Sequence, residues 1–236
     1  MATAYKRVLI KISGEALAAG KKTGYDFSFV SAVCEQIKRC VDLGAEVGVV
    51  VGGGNFWRGV KDGGGRIERV SADRMGMLAT AMNCLALADV MDRCGVQAKV
   101  MTAVDIQGVG ERYDTKKAVE YLESGKVVIF GCGTGLPFFS TDTAAVLRAA
   151  EIRADAILLA KNIDGVYSDD PRKNPEAVKY DEISYAEVLA QRLAVMDTTA
   201  TSLAMDNDIP VLVFALADPE NIVRVLSGEK LGTLVK

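Results

Sequence analysis

The sequence predicts an α/β protein in which a mainly parallel central sheet lies between two layers of helices, a three-layer αβα sandwich. Short, almost continuously apolar runs alternate along the chain with windows of helical periodicity, and this alternation is typical of a parallel sheet covered on both faces. Glycine-rich turns follow several of these runs. At 236 residues the chain suits one such domain, and we expect a single domain over 1–236.

Apolar runs mark the strands. They show no regular alternation of polar and apolar residues, so we expect helices on both of their faces. A segment with two prolines, Asp164–Tyr180, interrupts the pattern and predicts a hairpin-like excursion. The predicted strands are Arg7–Ile12, Val47–Val51, Ala98–Thr102, Val127–Phe130, Ala156–Ala160 and Val211–Ala215.

Helices are predicted between the strands. Two windows carry apolar stripes at helical spacing, and a glycine follows each window, Gly44 and Gly95. A third helix is predicted from Asp114 to about Ser124 and a fourth from near Thr141, while Ser184 and Glu187 form a capping box for another. The first stripe comprises Val30, Val33, Cys34, Ile37 and Val41; the second, with Ser71 as its predicted N-cap, comprises Met75, Leu78, Ala79, Met82, Leu85 and Ala86.

Composition excludes several classes of function. The formal net charge of −3 argues against a nucleic-acid partner, because such domains usually carry a basic excess. The chain has no histidine, which excludes imidazole bases, Ser-His-Asp and Cys-His catalysis, and histidine-ligated metals. Five cysteines without a CxxC pair are typical of reduced core residues in the cytoplasm, and no apolar run is long enough to predict a membrane span.

Three glycine-rich turns are the main candidates for chemistry. Lys11–Gly14, Gly52–Asn55 and Gly131–Gly135 each follow a predicted strand, where open α/β sheets bind their ligands. Glycines allow backbone amides to approach phosphate oxygens closely. Arg58 and Gly59 come soon after the second turn. Three such turns at one edge of a sheet therefore predict a phosphate site.

Several side chains near these turns have both a structural and a functional interpretation. Lys11 ends an apolar strand, where it is either an edge lysine or a phosphate clamp. Arg58 is interpreted as an anion ligand rather than a surface charge. Asp142 and Asp73 are each either helix caps or site residues. By default Phe138, Phe139 and Trp57 are packing residues, although the two phenylalanines beside Pro137 could also form the wall of a base pocket.

Six blocks of residues together carry a family resemblance. In order and spacing they resemble the bacterial uridylate kinases of the amino-acid-kinase superfamily, over essentially the whole chain. The resemblance implies the amino-acid-kinase fold and transfer of a phosphoryl group from ATP to UMP, giving UDP and ADP in pyrimidine nucleotide biosynthesis. The blocks are Lys11–Leu17, Gly52–Gly59, Ala72–Thr80, Gly133–Asp142, Asp164–Pro171 and Val195–Asp197.

The resemblance also implies roles for individual residues. Asp142 would organise Lys11 or Mg²⁺, Asp197 would give weaker support of the same kind, and Arg58 would bridge the donor and acceptor phosphates. The residues implied for ATP are Lys11, Ile12, Ser13, Gly14, Gly54, Arg58, Asn162, Tyr167 and Asp170. Those implied for UMP are Gly53, Asp73, Thr134, Gly135, Leu136, Pro137, Phe138, Phe139, Ser140 and Thr141.

Cofactor, partners and regulation follow from the same resemblance. Mg²⁺ would enter with ATP, without a dedicated set of protein ligands. Residues of about 1–150 would bind mainly UMP and those of about 151–236 mainly ATP. The family implies a cytoplasmic hexamer with GTP as activator and UTP as inhibitor, although Thr23–Asp26 departs from the glycine-rich segment that the family links to GTP.

Two alternatives stay open on the sequence alone. One is a related kinase that acts on a carboxylate or another small acceptor. The other is a non-catalytic nucleotide- or oxyanion-binding protein on the same fold. The segment Thr134–Asp142 favours a nucleotide acceptor, and the presence of Lys11, Arg58 and Asp142 together favours an enzyme.

Overall fold

The computed structural model describes residues 3–58 and 62–236 and has the predicted α/β architecture. Gly59, which the sequence placed after the second glycine turn, lies outside the described residues. Within the described ranges, no helix is both long and apolar enough to span a membrane.

A nine-stranded sheet forms the centre of the molecule, in the order β4-β3-β5-β2-β1-β6-β10-β11-β9. Its pairs are parallel except for β10 with β11, and β7 and β8 form a separate antiparallel pair that confirms the predicted excursion. The six predicted strands are confirmed. The strands are β1 (Arg7–Ile12), β2 (Glu46–Val51), β3 (Ala98–Thr102), β4 (Glu111–Arg112), β5 (Val127–Gly131), β6 (Ala156–Lys161), β7 (Val166–Tyr167), β8 (Lys179–Tyr180), β9 (Glu182–Ile183), β10 (Val211–Ala215) and β11 (Thr233–Val235).

Most helices begin at a side-chain cap. Asp114, Ser140, Ser184 and Asp197 each accept backbone N–H bonds at the start of their helices, and the capping box of Ser184 and Glu187 is confirmed. The helices are α1 (Gly14–Leu17), α2 (Phe27–Asp42), α3 (Arg69–Arg93), α4 (Thr115–Glu123), α5 (Thr141–Glu151), α6 (Tyr185–Ala190), α7 (Thr198–Asp206) and α8 (Asn221–Leu226).

Two hydrophobic cores occupy the two faces of the sheet. Alternate residues of each inner strand enter opposite cores, as period-2 geometry requires. On β1, Ile10 packs in the core beneath α2, α3 and α8, whereas Leu9 packs in the core beneath α4, α5, α6 and α7. Four of the five cysteines are buried and all five thiols are free, and burial raises the pKa of Cys34 to about 12. This agrees with their interpretation as core residues.

Helix α3 differs from its prediction in two ways. It begins at Arg69, so Ser71 is not its N-cap, and the residue before it, Glu68, makes no side-chain cap. Most of its predicted apolar stripe also does not face the core: Met75, Leu78, Met82 and Leu85 are 38%, 54%, 50% and 43% exposed, and of the six predicted residues only Ala79 is buried. The buried side instead carries small, polar and apolar residues together, namely Ala72, Ala79, Thr80, Ala81, Asn83, Cys84, Leu87, Val90 and Met91.

Candidate active site

The three glycine turns meet at one edge of the sheet because β5, β2 and β1 are adjacent and parallel. The first two turns touch each other. A Cβ atom added to Gly14 would lie 2.4 Å from the carbonyl oxygen of Gly52 and 2.8 Å from the amide nitrogen of Gly54. Only glycine allows this approach of one backbone to another. The predicted convergence of the turns is therefore present.

Lys11 lies on a central strand and is only 8% exposed, so the interpretation as an edge lysine is wrong. Its side chain leaves the sheet on the same face as Leu9, the face on which α5 begins. There its ammonium forms an ion pair with the carboxylate of Asp142. Ser140, rather than Asp142, caps α5, since its Oγ accepts bonds from the amides of Asp142 and Thr143. The Asp142 carboxylate is thus directed to Lys11.

A second lysine, Lys161, is partly buried and lies beside this pair. It ends β6, the strand next to β1, and its Nζ donates a hydrogen bond to the carbonyl oxygen of Val195. Burial lowers the pKa of the Lys161 ammonium; the Asp142 carboxylate opposes this shift and Lys11 adds to it. The prediction missed Lys161 as a site residue, although it ends an apolar strand run just as Lys11 does.

A large cavity of about 880 Å³, here called the larger cavity, opens beside Lys11. Within it the Tyr167 hydroxyl donates to Asp164, and Asp170 accepts from the backbone and side chain of Arg172. The cavity is lined by Lys11, Ser13, the segments 160–172 and 191–195, Val213 and Ala215.

The smaller cavity, about 160 Å³, lies between α3 and the third glycine turn. Asp73 lies at its wall; its carboxylate accepts bonds from Arg69 Nε at 2.7 Å and from the Phe138 amide at 2.8 Å. Asp73 is the fifth residue of α3 and does not cap it. The cavity is lined by Gly53, Trp57, Ala72, Asp73, Gly76, Met77, Thr80, Cys132, Gly133, Thr134, Leu136, Phe139 and Thr141.

Arg58 is held next to the second glycine turn. Its Nη2 lies 2.9 Å from Glu15 Oε1, and its Nε donates a long bond of 3.4 Å to the Gly54 carbonyl. Both members of the ion pair are about two-fifths exposed, and pairs of this kind contribute little to stability. The guanidinium can therefore exchange the Glu15 carboxylate for a phosphate at small cost.

Most of the chain matches one known protein family. The model of the amino acid kinase family matches residues 6–215. The chain belongs to the amino acid kinase family.

Solved structures of UMP and uridylate kinases resemble this one. A UMP kinase from Bacillus anthracis is 41% identical with a TM-score of 0.95, covering 98% of this chain and 96% of that one. A UMP kinase from Ureaplasma parvum is 38% identical with a TM-score of 0.92, covering 98% of both chains. A uridylate kinase from Archaeoglobus fulgidus is 28% identical with a TM-score of 0.76, covering 97% of this chain and 99% of that one.

In this member of the amino acid kinase family, some predicted site residues line a cavity and others support the lining. Asp197 is a support residue: it caps α7 and accepts bonds from Ser140 Oγ and Thr143 Oγ1, so it ties α7 to α5. Phe138, at a φ of 71° and 64% exposed, is not a core aromatic. Among the described residues, the predicted site residues outside both linings are Ile12, Gly14, Gly54, Arg58, Gly135, Pro137, Phe138, Ser140, Asp142 and Asp197.

Proposed function

We propose that this member of the amino acid kinase family transfers the terminal phosphoryl group of ATP to UMP, giving ADP and UDP. The observation that carries the proposal is the position of the Lys11–Asp142 pair. Lys11 lines the larger cavity, while Thr141, the residue directly before Asp142, lines the smaller one. One largely buried ion pair thus connects the linings of the two cavities along the chain. The similarity to two UMP kinases over 98% of this chain supports the same reaction.

The larger cavity is the proposed ATP site and the smaller one the proposed UMP site. With Lys11 and Lys161, two ammonium groups are available to the donor phosphates. Asp73 would accept a hydrogen bond from the ribose, and Phe139 and Leu136 would lie beside the uracil. Apart from Lys11 and Ser13, the donor lining comes from residues 160–215, which supports the division near residue 150.

The proposed reaction needs no histidine base. The acceptor is the UMP phosphate, whose second pKa of about 6 leaves it largely a dianion at neutral pH. One of its oxygens attacks the γ-phosphorus, a new P–O bond forms, and the bond to the β,γ-bridging oxygen breaks as ADP leaves. The main obstacle is repulsion between two polyanions. Lys11, Arg58 and the amides of the glycine turns would neutralise this charge and hold the oxygens in line.

Mg²⁺ is proposed to enter the site with ATP. A magnesium ion bound to nucleotide phosphates usually takes only one or two protein carboxylates. Asp142 fits that need, since its carboxylate contacts Lys11, which lines the proposed ATP cavity. When bound, Mg²⁺ would neutralise part of the charge on the donor phosphates. In the described part of the chain, no group of three acidic or cysteine side chains is arranged to hold a metal ion.

A second copy of the chain is the proposed protein partner. The exposed side of α3 carries the apolar stripe of Met75, Leu78, Met82 and Leu85, and polar residues flank it: Arg74 before it, and Asp89, which pairs with Arg93, after it. Two such helices packed antiparallel about a two-fold axis near Met82 would bury the two stripes against each other. Such pairs would build the hexamer that the family resemblance implies. From that resemblance we also propose a cytoplasmic location and responses to GTP and UTP.

A coupled assay for ADP tests the proposed reaction. Purified protein with ATP and Mg²⁺ would be given UMP, CMP, AMP and an N-acylglutamate in turn, with each product identified by chromatography. We expect UDP from UMP at the highest kcat/KM. Phosphorylation of the acylglutamate instead would identify a related kinase, and no ADP with any acceptor would support a non-catalytic binding protein.

A further inference from the structure

Helix α3 carries two buried polar side chains, Thr80 and Asn83, to which the proposed reaction assigns no role. Thr80 is 3% exposed and Asn83 is fully buried. Both lie on the side of α3 that faces the glycine turns. Burying such groups is unfavourable unless they are hydrogen-bonded, so their partners indicate what they do.

Thr80 holds the third glycine turn. Its Oγ1 accepts a bond of 2.8 Å from the Cys132 amide and donates one of 2.7 Å to the Met77 carbonyl. Cys132 has a φ of 64°, a left-handed conformation that is costly for any residue with a side chain. The bond from Thr80 therefore stabilises a strained residue at the point where the chain turns into the smaller cavity.

Asn83 holds the second glycine turn. Its Nδ2 donates a 2.6 Å bond to the Gly52 carbonyl and a 2.8 Å bond to Asn55 Oδ1, and Asn55 returns a bond of 3.0 Å to Asn83 Oδ1. Asn55 also donates to the Gly24 carbonyl. The pair satisfies its amide hydrogens completely, so the turn has one well-defined position.

Tight packing leaves these turns little freedom to move on α3. A Cβ atom added to Gly53 would lie 2.9 Å from the Ala79 Cβ and 3.0 Å from the Gly76 carbonyl oxygen. Small residues on α3 thus bring the second turn into contact with the helix backbone, where the two hydrogen-bonding side chains fix its register.

We propose that Thr80 and Asn83 are positioning residues, which set the two turns of the site from one helix. Thr80 orders the turn of the UMP cavity. Asn83 orders the turn in which Gly53 lines the UMP cavity and Gly54 packs against Gly14, the residue after Ser13 of the ATP lining. This inference rests on the proposed function, and it predicts different kinetic effects for the two residues: loss of Thr80 impairs UMP use, and loss of Asn83 impairs use of both substrates.

Thr80→Val and Thr80→Ser form the main test. Valine has the shape of threonine without the hydroxyl, whereas serine keeps the hydroxyl. With the full chain, we expect Thr80→Val to raise the KM for UMP about five- to tenfold, the scale of one lost hydrogen bond. The KM for ATP should change less than twofold, and Thr80→Ser should restore most of the UMP affinity. Thr80→Ala serves as a second hydroxyl-free variant if the valine protein does not fold.

Thr102→Val is the matched control. Thr102 is also fully buried, but among the described residues its hydroxyl has no hydrogen-bond partner. The same substitution there should leave both KM values unchanged. An unchanged KM for UMP in Thr80→Val, or equal increases for UMP and ATP, would overturn the role assigned to Thr80.

Asn83→Leu tests the second half of the proposal. It should raise both KM values by similar factors, whereas a selective effect on UMP alone would contradict the role assigned to Asn83.

Amide hydrogen exchange gives a readout that needs no substrate. Peptides covering 131–135 should exchange faster in Thr80→Val than in the wild type and in Thr102→Val. If wild-type protein fails to phosphorylate UMP, the proposed function fails while the exchange result still tests the hydrogen bond. If wild-type protein is active and exchange at 131–135 does not change, only the positioning role fails.

Discussion

One buried ammonium group, that of Lys11, lies on a central strand and lines the larger cavity. Burial of this ammonium costs free energy unless a counter-charge is present, and Asp142 supplies one. A phosphate that entered the larger cavity would give Lys11 a second anionic partner. The Lys11–Asp142 pair therefore contributes both to the stability of the protein and to its affinity for the proposed ATP donor.

Loss of Lys11 should have a large effect on turnover. We expect Lys11→Ala to lower kcat by roughly two or more orders of magnitude, since it removes one preorganised charge from the transition state. Arg58→Ala should act on the same scale. Lys38→Ala, on α2 and paired with Asp42, is the control and should keep normal kcat. Steady-state kinetics with UMP, with circular dichroism to verify the fold, checks this; a near-normal kcat would remove Lys11 from the mechanism.

Asp73 provides a sharper test of how the acceptor is bound. Asp73→Asn keeps the shape of the side chain but removes the charge that accepts bonds from Arg69 and the Phe138 amide. We expect the apparent affinity for UMP to fall about tenfold or more, because a hydrogen bond to a charged group is lost. The affinity for ATP should change little. Isothermal titration with each nucleotide measures this. Equal losses would mean that Asp73 only stabilises the helix.

Most site residues could be recognised individually because their type and position are informative. A lysine that ends a strand and an aspartate after two hydroxyl residues both stand out in the sequence. The hydrogen-bond and ion-pair partners of these residues could not be predicted. Ser140 rather than Asp142 caps α5, and which of the two does so depends on the packing of α5 against β1. Lys161 was missed for a related reason: its role becomes visible only when β6 is next to β1.

At the scale of elements, contact between the first and second glycine turns is the feature on which the site depends. Gly14→Ala places a methyl group against the backbone of Gly52 and Gly54. We expect it to lower the free energy of unfolding by about 1–3 kcal/mol, the usual cost of overpacking, and to impair both substrates. Urea denaturation measures the first effect and steady-state kinetics the second.

Gly63→Ala is the matched control for that substitution. A Cβ atom there would meet its neighbours only at ordinary distances of 3.8 Å and 3.9 Å. The change should alter the free energy of unfolding by less than about 1 kcal/mol. Equal effects at Gly14 and Gly63 would show that the approach of the two turns is not tight.

Long apolar elements were predictable and short edge elements were not. The six inner runs are apolar because helices cover both of their faces, so composition alone identifies them. In contrast, β4, β9 and β11 have two or three residues and obtain their conformation from pairing with a neighbour. The stripe on α3 misled the prediction because helical periodicity shows that a face is apolar, not which surface covers it.

At the scale of the whole molecule, the exposed stripe of α3 predicts association between copies of the chain. Met82→Glu would place a charge at the centre of the proposed two-fold contact, where burying it is unfavourable. We expect light scattering after size exclusion to give a lower mass for this variant than for the wild type. Val178→Glu changes another exposed apolar residue, 65% exposed on the excursion, and should leave the mass unchanged. Equal masses for wild type and Met82→Glu would refute the contact.

Helix α3 holds the second and third glycine turns on one side and presents its apolar stripe on the other. Any shift of this helix that accompanies pairing of two copies must move Thr80 and Asn83, and with them the pocket for the nucleotide. Thermodynamic reciprocity then fixes the relation between the two events: by whatever factor self-association tightens UMP binding, UMP must tighten self-association equally. Where association tightens UMP binding, dilution, which separates the copies, would weaken it by the same factor.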